Sequence, residues 1–317
     1  MKINELCKYP IPEDFLEAEE RDGYFVSAKM KRVWAVQLDM LQKLLEICEK
    51  YGLRIWADSG TLLGAVRHKG YIPWDDDMDL VMPRNDYDCL VRVAPQEFFH
   101  PYFFQCMATE KRYARNHAQI RMDGTTGMLG FGGQKTTHIH QGIFIDVFPL
   151  DEVPDDTRTM ESWLAEHQTK LNALDANAYF NMFHPIRSLK GMSSFGKLAD
   201  EYEQCLKKYD DGSHRRVSKL SFRYIMDKEW YNHTDNLPFE FISIPVPAGY
   251  KEILKVFYGE GYMTPAQASS THGDFWKLDP DVDYHHYLPE QKCIFRKNKM
   301  KNRMRKVKCG FKSLFKC

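Results

Sequence analysis

Along residues 28–51, AKMKRVWAVQLDMLQKLLEICEKY, apolar side chains fall at Trp34, Leu38, Leu41, Leu44 or Leu45, and Cys48. Steps of three and four residues put them on one face of an α-helix, and Gly52 supplies the left-handed residue that closes it. The next apolar run, LRIWAD (53–58), has the length of a strand. Ser59-Gly60 then turns the chain into a short helix from Thr61 to about His68. MDLVMP reads as a strand ending at Pro83. Asn85 caps a further helix, with Asp86 and Asp88 placed early, where the helix dipole favours acids. YFFQCMAT (102–109) and HAQIRMD (117–123) read as strands and lead to a loop with glycines at 124, 127, 130, 132 and 133. IHQGIFIDVFPLD (139–151) is a strand that stops at Pro149. From about 155 to 227 the spacing is mainly helical; FEFISIPVP (239–247) is extended, and KEILKVFYG returns to helix. The pattern predicts an α/β protein. An N-terminal extension (1–27) precedes a mixed α/β core (28–150), a mainly helical part (151–290) that completes the same domain, and a tail (291–317).

A chain of 317 residues can bury a substantial core, and 14% aromatic content argues against disorder. No apolar run approaches the ~18–20 residues of a membrane span. The N-terminus, MKINELCKYPIPEDFLEAEERDGYF, is acidic and lacks the apolar segment of a signal peptide. Eight cysteines without a C-x-x-C pair fit reduced thiols, so a cytoplasmic location is expected. The net charge of zero hides an asymmetry. Residues 291–317 hold 11 Lys and Arg and no acid, leaving 33 bases against 44 acids in the first 290 residues. In that tail Met300, Met304, Val307, Phe311 and Leu314 alternate at four and three residues among Lys and Arg. The spacing is that of a basic amphipathic helix, weakened by Gly310 and suited to an anionic membrane surface; a solvated basic tail is the other reading. An acidic body with no basic, aromatic-rich fold argues against nucleic acid as a partner.

The chemistry concentrates in IPWDDDMDLVMP, where Asp75, Asp76, Asp77 and Asp79 crowd into five residues. Like charges this close need a cation or full hydration. On a strand Asp77 and Asp79 share a face, with Cα atoms about 6.5 Å apart, and Asp75 joins them if the chain stays extended. Asp146 lies between Ile145 and Val147 in a strand that reads as buried, an unlikely place for an acid kept only for packing. Asp77, Asp79 and Asp146 together suit divalent metal and phosphoryl transfer. An EF-hand is excluded, since Leu80 stands where its glycine is required and Asp86 where its glutamate is required. The D-x-D of a nucleotide-sugar glycosyltransferase fits poorly, because only 74 residues precede Asp75 and much of that is one helix, too little for the nucleotide-binding half. Ser59, Gly60 and Thr61 open a helix whose free N–H groups suit phosphate; a simple helix cap reads the same way.

The segment ADSGTLLGAVRHKGYIPWDDDMDLVMPRNDY closely resembles the signature of the LicD family, the cholinephosphotransferase-like proteins that include the fukutin-related proteins. GIFIDVFPLDEVP resembles its second block and IPVPAGYKEILKVFYGEGYMTP its C-terminal block. The resemblance covers about residues 28–290. It implies a nucleotidyltransferase-like catalytic core with Ser59-Gly60 as the turn, Asp77 and Asp79 as the metal-binding pair, and Asp146 as the third acid. The family's two arginines fall on Arg67 and Arg84. It further implies transfer of a substituted phosphate, such as phosphocholine, from a CDP-linked donor to the hydroxyl of a cell-surface glycan or its lipid-linked precursor. Mg2+ or Mn2+ on Asp77, Asp79 and Asp146, with Asp75 as a further ligand, would bridge the diphosphate. Asp146 acts either as base or as ligand only. Arg67, His68 and Arg121 serve as phosphate contacts or as structural ion pairs. His138 and His140 share strand parity with Asp146, and Trp74 is the nearest aromatic to the acids. The rival readings are a nucleotidyltransferase acting on a nucleoside triphosphate and a non-catalytic glycan- or partner-binding protein of the same fold. With the basic tail, the expected setting is the inner face of a membrane.

Overall fold

A computed structural model describes residues 3–130, 138–183, 194–220, 224–265 and 275–294. Most of the basic tail, from residue 295, and positions 131–137 of the glycine-rich loop lie outside the described residues. A helical turn α1 (Ile3–Leu6) and a hairpin of β1 (Glu19–Arg21) and β2 (Tyr24–Val26) lead to the long helix α2 (Ala28–Tyr51). The predicted ends of α2 are the observed ones: Met30 N–H donates to the Ser27 hydroxyl at 3.2 Å, and Gly52 closes the helix at φ 66°. Its apolar face, including Trp34, Leu38, Leu41 and Leu44, is wholly buried. Each such side chain contributes about 1.5–3 kcal/mol of hydrophobic stabilisation.

There follow β3 (Trp56–Ala57), α3 (Ser59–His68), β4 (Asp79–Pro83), α4 (Arg84–Glu97), β5 (Tyr102–Gln105), β6 (Ala118–Met122), β7 (Thr126–Leu129) and β8 (Phe144–Val153). Strand β3 is shorter than the apolar run 53–58 suggests. Helix α4 starts at Arg84 behind Pro83, with no side-chain cap at its start, so Asn85 is not the cap. Asp86 instead accepts from Arg54, through its backbone N–H at 3.0 Å and its Nε at 2.8 Å. The glycine-rich loop contributes a strand, β7, which pairs with β13 (Phe275–Asp279).

The remaining elements are α5 (Thr157–Phe183), α6 (Phe195–Leu206), β9 (Arg216–Lys219), β10 (Tyr224–Asp227), the hairpin β11 (Thr234–Phe239) and β12 (Ile242–Pro247), and α7 (Tyr250–Tyr258). Residues 155–227 are therefore not helical throughout. Strands β9 and β10 extend the central sheet, whose order is β10-β9-β8-β4-β3, with β6 also on β8 and β5 on β6. Among the described residues, only β4 and β8 of this sheet pair in parallel. Strand β8 takes β6 as its neighbour up to Val147 and β9 from Asp151 onward. Pro149 sits in the gap between them. Asp146 N–H points toward β4, donating to Met78 O at 2.8 Å, so by alternation the missing N–H of Pro149 faces the gap and β8 runs on through it.

Candidate active site

The acidic run leaves α3 and enters β4 with its backbone held from α2. Trp34 Nε1 donates to Asp75 O at 2.9 Å, and Gln37 Nε2 donates to Asp76 O at 2.9 Å. Both donors are buried, so their hydrogen bonds resist exchange with water and fix the run's path. Carboxylate oxygens of Asp75, Asp76 and Asp77 come within 4.8 Å of one another. Asp79 opens β4 directly beside Asp146 on β8, the two being register partners in the parallel pair.

The start of α3 is woven into this cluster. Ser59 takes a left-handed backbone (φ 47°), and its hydroxyl donates to Asp58 Oδ2 at 3.0 Å. Thr61 Oγ1 accepts the backbone N–H of Asp79 at 2.9 Å, tying α3 to the first residue of β4. Gly60 has to be small: a Cβ there would lie 2.7 Å from Asp75 Oδ2. Opposite stands Lys219, the last residue of β9 and 1% exposed. Its ammonium donates to Asp58 Oδ2 and, at 2.8 Å, to Ser59 Oγ; it lies 3.6 Å from Asp79 Oδ2 and 4.2 Å from the centre of the Phe148 ring.

Crowding shows in the acidities. Burial drives the Asp77 carboxyl well above its ordinary range, and repulsion from Asp75, Asp79, Asp76 and Asp146 adds to it. Burial likewise pushes Asp79 up to about 7; Lys219 pulls it back, while Asp146, Asp58 and Asp75 push it further. Asp146 moves the other way. Burial is the largest influence on it and acts upward, but hydrogen bonding and charge from His117, then Arg115 and Gln119, outweigh it. His117 Nε2 lies 3.1 Å from Asp146 Oδ1, and Gln119 Nε2 donates to the same oxygen at 2.8 Å. Burial would lower the Lys219 ammonium, yet Asp58 and Asp79 raise it, so it stays charged.

The structure thus gathers Ser59, Gly60, Thr61, Asp75, Asp77, Asp79 and Asp146. It does not gather the basic residues singled out from the sequence. Arg67 and His68 stand at the other end of α3, where Arg67 Nη1 donates to Tyr262 O at 2.9 Å and His68 Nε2 lies 3.2 Å from Asp22 Oδ2. Arg84, at the far end of β4, is buried against Asp151, its Nε donating to Asp151 Oδ1 at 2.6 Å. Arg121 lies behind Asp146, donating to the Gln119 and Gln105 side chains and, at 2.7 Å, to Gly142 O. It steadies the glutamine that holds Asp146. His140 precedes β8, so strand parity does not extend to it; its Nε2 lies 2.8 Å from Asp123 Oδ1. His138 is exposed. Trp74 packs edge-on against Tyr24 and His68, at 6.1 and 6.4 Å between ring centres.

Four participants escaped the sequence reading: Asp58, His117, Gln119 and Lys219. His117, Gln119 and Arg121 share strand parity, which was a usable signal. Lys219 sits in a stretch read as helix, so nothing local marked it. A surface cavity of about 780 Å³, lined by His214, Arg216 and Lys228 among others, contains none of the site aspartates. The carboxylates lie in a tight, buried setting, and cavity size does not locate the chemistry.

Residues 52–185, which contain α3, the acidic run and β8, match the family model described as LicD/FKTN/FKRP, nucleotidyltransferase domain. The chain is 28% identical over 278 residues to the lipopolysaccharide cholinephosphotransferase LicD of Haemophilus influenzae, covering 80% of this chain and 94% of that one. An uncharacterized protein of Rickettsia prowazekii is 40% identical over 82 residues, 26% of this chain and 29% of that one. The human ribitol 5-phosphate transferase FKRP is 53% identical over 34 residues, 11% of this chain and 7% of that one.

Proposed function

The chain belongs to the LicD family, and from that premise we propose that it moves a substituted phosphate of the phosphocholine type from a CDP-linked donor to a hydroxyl of a cell-surface glycan or its lipid-linked precursor. It is a transferase of phosphate-containing groups. The observation that carries the finer reading is the convergence of Asp75, Asp76 and Asp77 within 4.8 Å, beside the Asp79–Asp146 pair and the start of α3.

Hard oxygen ligands whose pKa values are raised by burial and mutual repulsion fit a hard divalent cation, Mg2+ or Mn2+. Asp77 and Asp79 would hold it, with Asp75 and Asp146 alongside. Such an ion neutralises charge on a diphosphate and on the departing nucleotide. The start of α3 offers backbone N–H groups to the donor's phosphate oxygens, and Gly60 leaves room for their approach. The acceptor hydroxyl attacks the distal phosphorus in line; its new P–O bond forms as the bond to CMP breaks, CMP takes up the electron pair, and the hydroxyl proton is released to water. Asp146, kept acidic by His117 and Gln119, suits ligating and orienting better than removing a proton. Lys219 balances Asp58 and Asp79, which keeps the floor of the site from carrying uncompensated charge. The basic residues of 291–317 support docking on an anionic membrane surface, close to a lipid-linked acceptor.

The test is release of CMP from a panel of CDP-linked donors with Mg2+, with a cell glycan extract as acceptor, comparing the protein with Asp79→Asn. Metal-dependent release lost in the variant is the expected result. Pyrophosphate from a nucleoside triphosphate would point instead to nucleotidyl transfer. No turnover, together with no detectable binding of metal or donor, would leave a binding protein of the same fold.

A further inference from the structure

We infer that Tyr224, Phe257 and Tyr258 form an aromatic wall at the rim of the carboxylate site that receives the quaternary ammonium end of the transferred group. The inference rests on the phosphotransferase reading above and narrows its substrate class.

The position of the wall follows from sheet register. Tyr224 begins β10 and is the direct cross-strand partner of Lys219. Partners in an antiparallel pair project to the same face with Cβ atoms about 5 Å apart. Lys219 reaches from that face to Asp58 and toward Asp79, so Tyr224 stands beside the floor of the site. From the other side comes α7, which packs on both β10 and α3, the helix whose first turn belongs to the site. Phe257 lies 4.8 Å from Tyr224 between ring centres, tilted by 46°. Tyr258 follows at 6.2 Å from Phe257, nearly perpendicular. The three rings thus meet at angles, as a corner, with faces turned in different directions.

The corner is partly exposed, and Arg67 as well as the carboxylates stands within electrostatic reach of Tyr258. Tyr224 is 40% exposed and Tyr258 44%, among the most exposed large aromatics of the described residues. Among those residues no Lys or Arg lies over any of the three rings, although ammonium–ring contacts occur elsewhere, as at Lys219 and Phe148. Burial of the Tyr258 phenol, and after it the charges of Asp58, Asp79, Asp75 and Asp77, push its pKa well above the ordinary range, which puts the hydroxyl within electrostatic reach of all four carboxylates. A methylated ammonium suits such a place. It cannot donate hydrogen bonds, loses little hydration on entering, and gains from ring faces and from nearby negative charge. In a phosphocholine group this cation is two carbons from the phosphate ester oxygen, so a phosphorus at the carboxylates brings it to their rim. An uncharged polyol phosphate gains nothing from the wall. Ethanolamine, whose ammonium holds its water, gains less.

The test is turnover of CDP-choline, CDP-ethanolamine and CDP-ribitol by the protein, Tyr258→Leu, Tyr224→Leu and Tyr258→Phe, with phosphocholine binding to the Mg2+-loaded proteins measured by calorimetry. Expected are preference for CDP-choline, a rise of roughly 2- to 30-fold in its KM and in the phosphocholine Kd for each leucine variant, and retention by Tyr258→Phe, which keeps the ring. Effects on the other donors should be small. Equal use of all three donors, or equal loss on all three in the leucine variants, would overturn the wall while leaving phosphotransfer standing. Absence of any turnover would count against phosphotransfer. In that case phosphocholine binding decides the wall by itself: weakening in the leucine variants upholds it, and binding that is unaltered or undetectable rejects it.

Discussion

Replacing Lys219 with methionine tests whether the buried ammonium stabilises the acidic floor. Methionine keeps most of the aliphatic stem over Phe148 and removes only the charge. The Lys219 and Asp58 side chains are each 2% exposed, so solvent screens their interaction little, and Asp79 loses its nearest cation at 3.6 Å. Removing one partner of a buried pair costs about 3–5 kcal/mol, because the other charge stays buried and uncompensated. At roughly 2 °C per kcal/mol, the low end of the range because the chain is long, Tm falls by about 6–10 °C. The loss depends on pH with a definite sign. Without Lys219 the folded-state pKa of Asp79 shifts further upward, and a carboxyl raised above its unfolded value destabilises the fold increasingly as pH climbs toward the folded value. The deficit is therefore larger at pH 8 than at pH 5, where protonation removes the repulsion. Thermal unfolding by circular dichroism at both pH values, without metal, reads this directly. Adding Asp58→Asn to Lys219→Met removes both charges and recovers part of the loss. A Tm within about 2 °C of the parent at both pH values would refute the reasoning, as would an equal loss at both with no recovery in the double variant.

Arg84→Met separates the two ends of β4. It breaks the buried pair with Asp151 and costs about 3–5 kcal/mol in urea unfolding, yet leaves the KM of the donor unchanged in folded protein. A raised KM at intact stability would restore Arg84 as a phosphate contact. Metal affinity should follow the ionisation of Asp79. Because its carboxyl is held up to about 7, binding Mg2+ displaces a proton, and affinity rises about tenfold per pH unit below that value before levelling off. Calorimetric titration from pH 5.5 to 8.5 checks this, and an affinity flat across the range would contradict it.

The boundaries that local chemistry sets were legible. Serine before α2 and glycine after it are capping residues acting over one turn, and both ends fall where that chemistry puts them. Pro149, which lacks an N–H, was read as the stop of its strand. Its consequence depends on which neighbour that N–H would have met, and here β6 and β9 leave a gap. Asn85 was read as a cap from its type alone, but fixed-φ Pro83 already turns the chain into α4. The short segment of β9 carries too few residues to establish a period, so its Lys219 stayed within a stretch read as mainly helical.

The sequence by itself determined the chemical character of the site: aspartates too crowded to stand without a counterion, a serine-glycine helix start before them, and a further acid inside an apolar strand. Those are short-range properties, carried by neighbours a few residues apart. Only the tertiary structure decided what faces them. Lys219 meets Asp58 across 161 residues of chain, and Tyr258 comes to the rim because α7 packs back on α3. It likewise turned Arg84 to Asp151 and Arg121 to Gln119, since a buried guanidinium must satisfy its donors with whatever acceptors the packing brings. Periodicity along a chain reports which face a side chain takes. Its partner is chosen by sheet order and helix packing, which depend on contacts between segments far apart in sequence.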